Sequence, residues 1–193
     1  MIANVKPGLF FVLLFVALTR AGTAEEPVRY LYQFDQPAAA AGWKSVNDGV
    51  MGGRSEGRFQ IGEDNTLDFS GNLSLENNGG FASVRSGKKN LDLRAGDVLV
   101  ARVRGDGRQY AWNLHVPTWR IAFAYRAFFD TRKDEWIEVR TPLSKFVATS
   151  FGREQPNRML TPSKVNGLGI ILADKQAGPF ALEIEWIGVE RAE

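Results

Sequence analysis

The sequence contains two glycine-rich blocks, WKSVNDGVMGGRS at residues 43–55 and FSGNLSLENNGGFASVR at residues 69–85. Glycine recurs where a chain needs a positive φ angle or a close approach between backbone segments. Asn and Asp beside glycine close turns, because their side chains hydrogen-bond to nearby backbone groups. Each block is therefore predicted to form tight turns between hydrophobic strand residues.

Apolar and polar residues alternate along most of the remaining chain. In FALEIEW at 180–186, Phe, Leu, Ile and Trp occupy every second position and two glutamates lie between them. A period of two is typical of a strand with one buried face. Strands are predicted at 30–34, 57–61, 66–70, 81–85, 98–104, 109–116, 119–129, 134–140, 165–172 and 180–186. Without a helical stripe of ten residues, this pattern predicts an all-β fold, a single jelly-roll-like sandwich of about eight to ten antiparallel strands.

The N-terminus is predicted to be a targeting segment. Lys6 precedes the apolar run LFFVLLFVAL at 9–18, and small residues follow at 22–24. This order is typical of a secretory signal peptide cleaved after Ala24, and the run is too short to span a bilayer comfortably. The sequence thus predicts a signal peptide at 1–24, one domain at 25–193 with no transmembrane segment, and an exported protein, periplasmic or secreted.

Charge and cysteine content exclude several functions. The chain has a formal net charge of +2, and loss of Lys6 and Arg20 with the predicted signal peptide brings it to zero. A neutral domain gives no electrostatic reason to expect nucleic acid as a partner. The absence of cysteine excludes disulfides, thiol catalysis and thiolate metal sites.

Three later segments complete a pattern begun by the glycine blocks. They are WIEVRTPLSKF at 136–146, VNGLGI at 165–170 and GPFALEIEWI at 178–187. Together with the two blocks, they resemble the complex I intermediate-associated protein 30 kDa family. The resemblance implies a galactose-binding-like β-sandwich and an assembly factor, not an enzyme. The best-known members of that family help assemble respiratory complex I in mitochondria, and similar folds occur in carbohydrate-binding modules.

Few residues could support catalysis. His115 is the only histidine, and no G-x-S-x-G nucleophile motif accompanies it. Glu183 and Glu185 lie two residues apart on one strand face, a spacing compatible with glycoside cleavage but also with an ordinary solvent-facing strand. We therefore expect a non-catalytic protein, with a glycosidase as the enzymatic alternative.

No cofactor is expected, apart from a structural calcium ion. Domains of the galactose-binding-like fold often carry one, held by oxygen ligands from the first and last strands. That resemblance makes Asp35 and Glu183 the calcium candidates in this chain.

Two binding hypotheses remain open. In the first, the loop at 47–55, with Asn47, Asp48 and Met51, contacts a protein partner or an assembly intermediate. The competing interpretation is that turn chemistry alone explains these residue types. The first hypothesis is preferred because the family pattern is specific.

In the second hypothesis the protein is a carbohydrate-binding module. Trp112 and Trp119 would stack on sugar rings, while Asn113 and His115 would hydrogen-bond to hydroxyl groups. The competing interpretation is burial, since aromatic residues dominate protein cores. The discriminating feature is whether two or more rings lie exposed on one sheet.

Overall fold

The computed structural model describes residues 27–191, so the predicted signal peptide at 1–24 lies outside the described residues. The described chain forms thirteen β-strands and short 3-10 turns, with no α-helix among them. The strands are β1 (Arg29–Gln33), β2 (Lys44–Ser45), β3 (Glu56–Ile61), β4 (Leu67–Leu73), β5 (Ala82–Arg85), β6 (Val98–Gly105), β7 (Gln109–His115), β8 (Phe123–Asp130), β9 (Trp136–Pro142), β10 (Val147–Ser150), β11 (Arg153–Glu154), β12 (Gly167–Leu172) and β13 (Gly178–Glu190).

These strands make two antiparallel sheets that pack face to face. The six-stranded sheet has the order β3-β4-β13-β6-β9, and β1 also pairs with β13. The seven-stranded sheet has the order β11-β10-β8-β7-β12-β5-β2. The all-β sandwich predicted from the alternating pattern is therefore confirmed.

The core lies between the sheets and follows the parity of the strands. On β7, Tyr110, Trp112 and Leu114 are all fully buried, and the Trp112 ring stacks on Phe129 of β8 with centroids 4.4 Å apart. All six residues of β12 are buried, as expected of a central strand covered on both sides. The residues at alternate positions of β7 and β8 form the outer face of the seven-stranded sheet.

The strand prediction differs from the structure in three ways. Thirteen strands exceed the predicted eight to ten, because the short strands β2, β10 and β11 carry too few residues for a period to be visible. Trp119 and Ile121 were predicted within a strand, but β8 begins only at Phe123. In β13 the register shifts between Ile184 and Trp186, so burial continues at Ile187 instead of Trp186.

The two glycine blocks meet at one buried carboxylate, that of Asp48. Its Oδ1 accepts a hydrogen bond from the Ser55 backbone N–H at 2.8 Å, and its Oδ2 accepts from the Ser55 hydroxyl at 2.5 Å. Oδ2 also accepts from the backbone N–H groups of Gly80 at 2.7 Å and Phe81 at 3.2 Å. The Ser55 hydroxyl in turn accepts from the N–H of Ser74 at 3.0 Å. We call these five residues the Asp48 clasp.

The clasp joins the sheets at one end of the sandwich. Ser55 and Ser74 lie at the ends of β3 and β4 in the six-stranded sheet, whereas Asp48 and Phe81 flank β2 and β5 in the other. Burial alone would raise the pKa of Asp48, but the hydrogen bonds from Ser55, Gly80 and Phe81 outweigh it and lower that pKa. Asp48 is therefore held as a charged acceptor.

Close packing around Asp48 explains glycine in both blocks. A Cβ atom at Gly53 would lie 2.4 Å from Asp48 Cγ, and one at Gly79 would lie 2.9 Å from Asp48 Oδ2. Neither position has room for a side chain while the carboxylate stays in place.

We predict that Asp48→Ala lowers the free energy of unfolding by about 3–5 kcal/mol, because it leaves buried backbone N–H groups without an acceptor. Urea unfolding followed by tryptophan fluorescence measures the change. Asp64→Ala is the matched control, since Asp64 lies exposed in the turn between β3 and β4, and it should change stability by less than about 0.5 kcal/mol. Equal effects of the two substitutions would contradict the structural role of Asp48.

Candidate binding surface

Only part of the loop at 47–55 is exposed to solvent. Asp48 is fully buried, and Asn47 donates from Nδ2 to the Gly57 carbonyl at 2.9 Å. Val50 and Met51 remain exposed at the tip of the loop. Of the three predicted contact residues, Met51 is accessible, whereas Asp48 is occupied in holding the fold.

The predicted sugar-stacking pair is divided between core and solvent. Trp112 is fully buried and cannot present its ring to a ligand, which corrects the prediction for that residue. The Trp112 side chain lies on the face of β7 that packs in the core, whereas Asn113 and His115 lie on the opposite face of that strand. Trp119 is exposed in the loop before β8, where Arg120 lies over its ring at 4.9 Å. The two tryptophans therefore form no common platform.

Asn113 and His115 lie on the outer face of the seven-stranded sheet beside two arginines. Asn113 Oδ1 accepts a hydrogen bond from Arg126 Nε at 3.0 Å. Arg85 on β5 reaches the same face from the other side of β12, because Gly169 pairs with both Arg85 and Asn113. We call Arg85, Asn113, His115 and Arg126 the arginine cluster.

Sequence reasoning missed both arginines of this cluster. Arg126 has the polar parity of β8 and Arg85 ends the second glycine block, so the period-two pattern alone places each on a sheet face. Their proximity to Asn113 depends on strand order, which the sequence pattern does not contain.

His115 is kept neutral by its surroundings. Burial is the main cause that lowers its pKa to about 4, followed by the positive charge of Arg85, while a hydrogen bond to the Phe123 backbone partly offsets them and Arg126 adds a smaller lowering effect. Nε2 of the ring is buried and has no hydrogen-bond partner. The imidazole is thus uncharged at neutral pH.

Exposed apolar side chains collect at the end of the sandwich where β8 begins. Trp119 is 85% exposed, Ile121 76%, Phe151 60% and Met159 89%. Hydrogen bonds hold their loops together: the Phe151 N–H donates to the Ala122 carbonyl, and the Tyr125 hydroxyl donates to the Met159 carbonyl at 2.9 Å. We call Trp119, Ile121, Phe151 and Met159 the apolar loop surface.

The carboxylates suggested for catalysis or calcium are engaged elsewhere or isolated. Glu183 pairs with Arg104 at 2.5 Å, and Glu185 pairs with Arg102 at 2.6 Å. Asp35 is exposed after β1. Within residues 27–191, no group of three or more His, Asp or Glu side chains is arranged to hold a metal ion.

The lowered pKa of His115 predicts a pH dependence of stability. The unfolded chain protonates His115 near its ordinary pKa of 6.5, whereas the folded protein resists protonation down to about 4. Because the unfolded chain takes up this proton first, the free energy of unfolding has its full value above pH 6.5 and decreases as the pH falls toward 4. The decrease amounts to about 2 kcal/mol by pH 5. Urea unfolding at pH 7.5 and pH 5 should show a smaller loss for His115→Gln than for the unaltered chain. An identical loss in both proteins would contradict a buried neutral histidine.

Solved structures of the same fold include carbohydrate-binding modules. The chain is similar to the family 11 carbohydrate-binding module of Clostridium thermocellum, solved with a β-1,3-1,4-mixed-linked tetrasaccharide, with a TM-score of 0.63 and 11% identity over 86% of this chain and 97% of that one. An exo-β-agarase matches with a TM-score of 0.53 and 8% identity over 86% of this chain and 25% of the enzyme chain. At such low identity these likenesses establish the fold alone, the galactose-binding-like β-sandwich.

Relatives at higher identity correct the predicted location. The chain is 32% identical to the mouse (Mus musculus) "Complex I intermediate-associated protein 30, mitochondrial" over 85% of its own length, and 27% identical to its Drosophila melanogaster counterpart over 83%. Export to the periplasm or the medium is contradicted, since these relatives are named as mitochondrial proteins. The prediction was wrong because it relied on an N-terminal order of one basic residue, an apolar run and small residues, and that order alone does not identify one particular membrane.

The described residues contain no helix long and apolar enough to cross a membrane. The chain spans about half the length of the curated relatives it matches, 56% of the mouse protein and 62% of the Drosophila one. The family model for Complex I intermediate-associated protein 30 matches residues 32–184, which include both glycine blocks and the last strand as far as Ile184. On this evidence the chain belongs to the Complex I intermediate-associated protein 30 family.

Proposed function

We propose that this protein is a non-catalytic protein-binding domain that associates with an assembly intermediate of a larger complex. Family membership supports this, because the matched relatives are named as proteins associated with intermediates of complex I. The proposal concerns this domain, which corresponds to about half of each relative.

The observation that carries the proposal is the apolar loop surface. Its four side chains are exposed together although each would gain free energy from burial, about 25 cal/mol for every Å² of apolar area removed from water. Clustered exposed apolar residues mark interaction sites, and aromatic residues and Met are enriched in the buried centres of protein interfaces. This surface fits a protein partner that presents an apolar face of its own.

The surface is separated from the Asp48 clasp by the length of the sandwich. Phe81 immediately precedes β5, whose first residue, Ala82, pairs with Leu172 at the end of β12. The apolar loops adjoin the opposite end of the same sheet, where Phe123 pairs with Ser150. A partner can therefore bind at these loops without disturbing the contacts that join the sheets.

Carbohydrate binding is the second candidate, and the fold likeness to carbohydrate-binding modules favours it. A sugar platform needs two or more exposed rings on one sheet. Among the exposed aromatic residues that the structure describes, Phe128 lies on the seven-stranded sheet, Tyr30 lies on β1, and Trp119 and Phe151 lie in loops. This distribution supports the protein-binding proposal over the sugar-binding one.

Two features support the absence of catalysis. The two glutamates considered for glycoside cleavage are each ion-paired with an arginine of the neighbouring strand β6, so both carboxylates are engaged within the sheet. His115 Nε2 makes no hydrogen bond to a serine hydroxyl or to any other described group, so the structure shows no Ser–His pair among residues 27–191.

The test is affinity capture of the full chain expressed in its native host, with quantitative mass spectrometry of the partners. We expect a partner in stoichiometric amount with the unaltered chain, and at least about tenfold less of it with the double variant Trp119→Asp, Met159→Asp, because hot-spot residues carry most interface energy. Tyr30→Asp is the control, since Tyr30 is exposed on β1 of the other sheet, and it should retain the partner.

A glycan array with the same three proteins separates the two candidate functions. A blank array together with the variant-sensitive partner supports protein binding. Saturable sugar binding that disappears in the Trp119→Asp, Met159→Asp variant, with no stoichiometric protein recovered, would overturn the proposal in favour of a carbohydrate-binding module.

A further inference from the structure

A row of paired residues crosses the outer face of the seven-stranded sheet and brings two arginines toward each other. Arg85 pairs with Gly169, Gly169 with Asn113, and Asn113 with Arg126. His115 lies two residues beyond Asn113 on the same strand and therefore on the same face. The arginine cluster thus spans β5, β12, β7 and β8.

Glycine at the centre of this row lets the neighbouring side chains pack directly over the β12 backbone. A Cβ atom at Gly169 would lie 3.0 Å from the Val84 carbonyl oxygen, 3.3 Å from Arg85 Cγ and 3.4 Å from His115 Nε2. The Arg85 and His115 side chains therefore fill the space above Gly169, which holds Arg85 beside His115 on the outer face of the sheet.

The cluster carries positive charge without a carboxylate to balance it. Neither Arg85 nor Arg126 forms an ion pair with a carboxylate of the described residues. The charge that affects the pKa of Arg126 is that of Arg85, and no neighbouring charge affects the pKa of Arg85. By contrast, Arg102, Arg104 and Arg108 each pair with Asp or Glu. Burial lowers the pKa of both cluster arginines, and the charge of Arg85 lowers that of Arg126 further.

One donor of the cluster is also left without a partner, because Arg85 Nε is buried and makes no hydrogen bond. His115 Nε2 is likewise unbonded, but in the neutral ring that bonds the Phe123 backbone this nitrogen is an acceptor. A buried charge or donor without a partner costs free energy, and proteins retain such groups where a ligand satisfies them.

We propose that the arginine cluster is an oxyanion-binding site, in which a carboxylate or phosphate group lies between the guanidinium groups of Arg85 and Arg126. Guanidinium groups bind both kinds of oxyanion through paired N–H donors. The bound oxyanion can be a free ion from solution, or it can be an acidic side chain of a bound protein. The second source would add an electrostatic contact to the proposed protein-binding function, whereas the first is independent of it.

His115 offers a direct readout, since it is the only histidine of the chain. The full chain, labelled at histidine and purified without a histidine tag, gives one set of imidazole NMR signals. Inorganic phosphate and a hexaglutamate peptide are titrated separately at pH 7 and constant ionic strength, with sodium chloride as the reference salt. We expect a saturable shift of the His115 signals with at least one of the two probes, and no such shift with chloride.

Variants connect the shift to the cluster. Arg85→Gln and Arg126→Gln should each weaken binding at least about tenfold, because each removes one of two charged donors. Arg58→Gln is the matched control on the other sheet, where Arg58 is exposed on β3, and it should bind like the unaltered chain. The probe should also raise the melting temperature of the unaltered chain and not that of the Gln variants.

The outcomes distinguish the two sources of the oxyanion, and they also test whether the site exists. Binding of phosphate alone supports a free oxyanion, and binding of hexaglutamate supports an acidic partner segment even if no partner is captured in cells. A shift that is linear in probe concentration, or that persists unchanged in Arg85→Gln and Arg126→Gln, would overturn the site. So would a large loss of stability in both Gln variants without any probe binding to the unaltered chain, because the arginines would then be structural.

Discussion

The fold depends on one buried carboxylate that accepts hydrogen bonds from both glycine blocks. Asp48 receives donors from Ser55 on one side and from Gly80 and Phe81 on the other, and those residues belong to opposite sheets. A charged acceptor with several short hydrogen bonds is stronger than a neutral one, and losing it would leave the donors buried and unsatisfied. Two glycines of the sequence pattern, Gly53 and Gly79, lie directly against this carboxylate.

The sequence pattern predicted the strands better than it predicted the surface. Ten strands were placed from their period of two, and all ten are present with ends shifted by a few residues. The turn interpretation of the glycine blocks was also appropriate, but it anticipated only local hydrogen bonds. Asp48 instead reaches residues 32 and 33 positions away in sequence, and no local rule contains that distance.

The binding residues show the same limit. Parity alone indicates that Trp112 and Asn113 face opposite sides of β7, but it does not say which side is the core. Arg85 and Arg126 lie 41 positions apart in sequence and meet only because β12 inserts between β5 and β7. Strand order is set by pairing over long sequence separations, so the arginine cluster could be recognised only in three dimensions.

The Asp48 clasp divides the molecule into a structural end and an accessible end. The contacts that join the sheets lie at the start of β5, while the apolar loop surface lies at the start of β8 and the arginine cluster lies on the sheet between them. Two kinds of recognition are therefore available on one rigid sandwich, an apolar contact at the loops and a charged one on the sheet. The apolar contact uses none of the residues of the family pattern, whereas the charged one uses Arg85 and lies over Gly169, which both belong to that pattern.

The most direct measurement of the central claim is native-state hydrogen exchange of the Gly80 and Phe81 amides in the full chain. If Asp48 holds the two blocks together, these amides exchange only when the whole domain unfolds, with the same free energy as the core strands β7 and β12. Fast exchange of both amides while β7 and β12 remain protected would show that the clasp opens locally. That result would contradict the account, because the sheets would then be joined without Asp48.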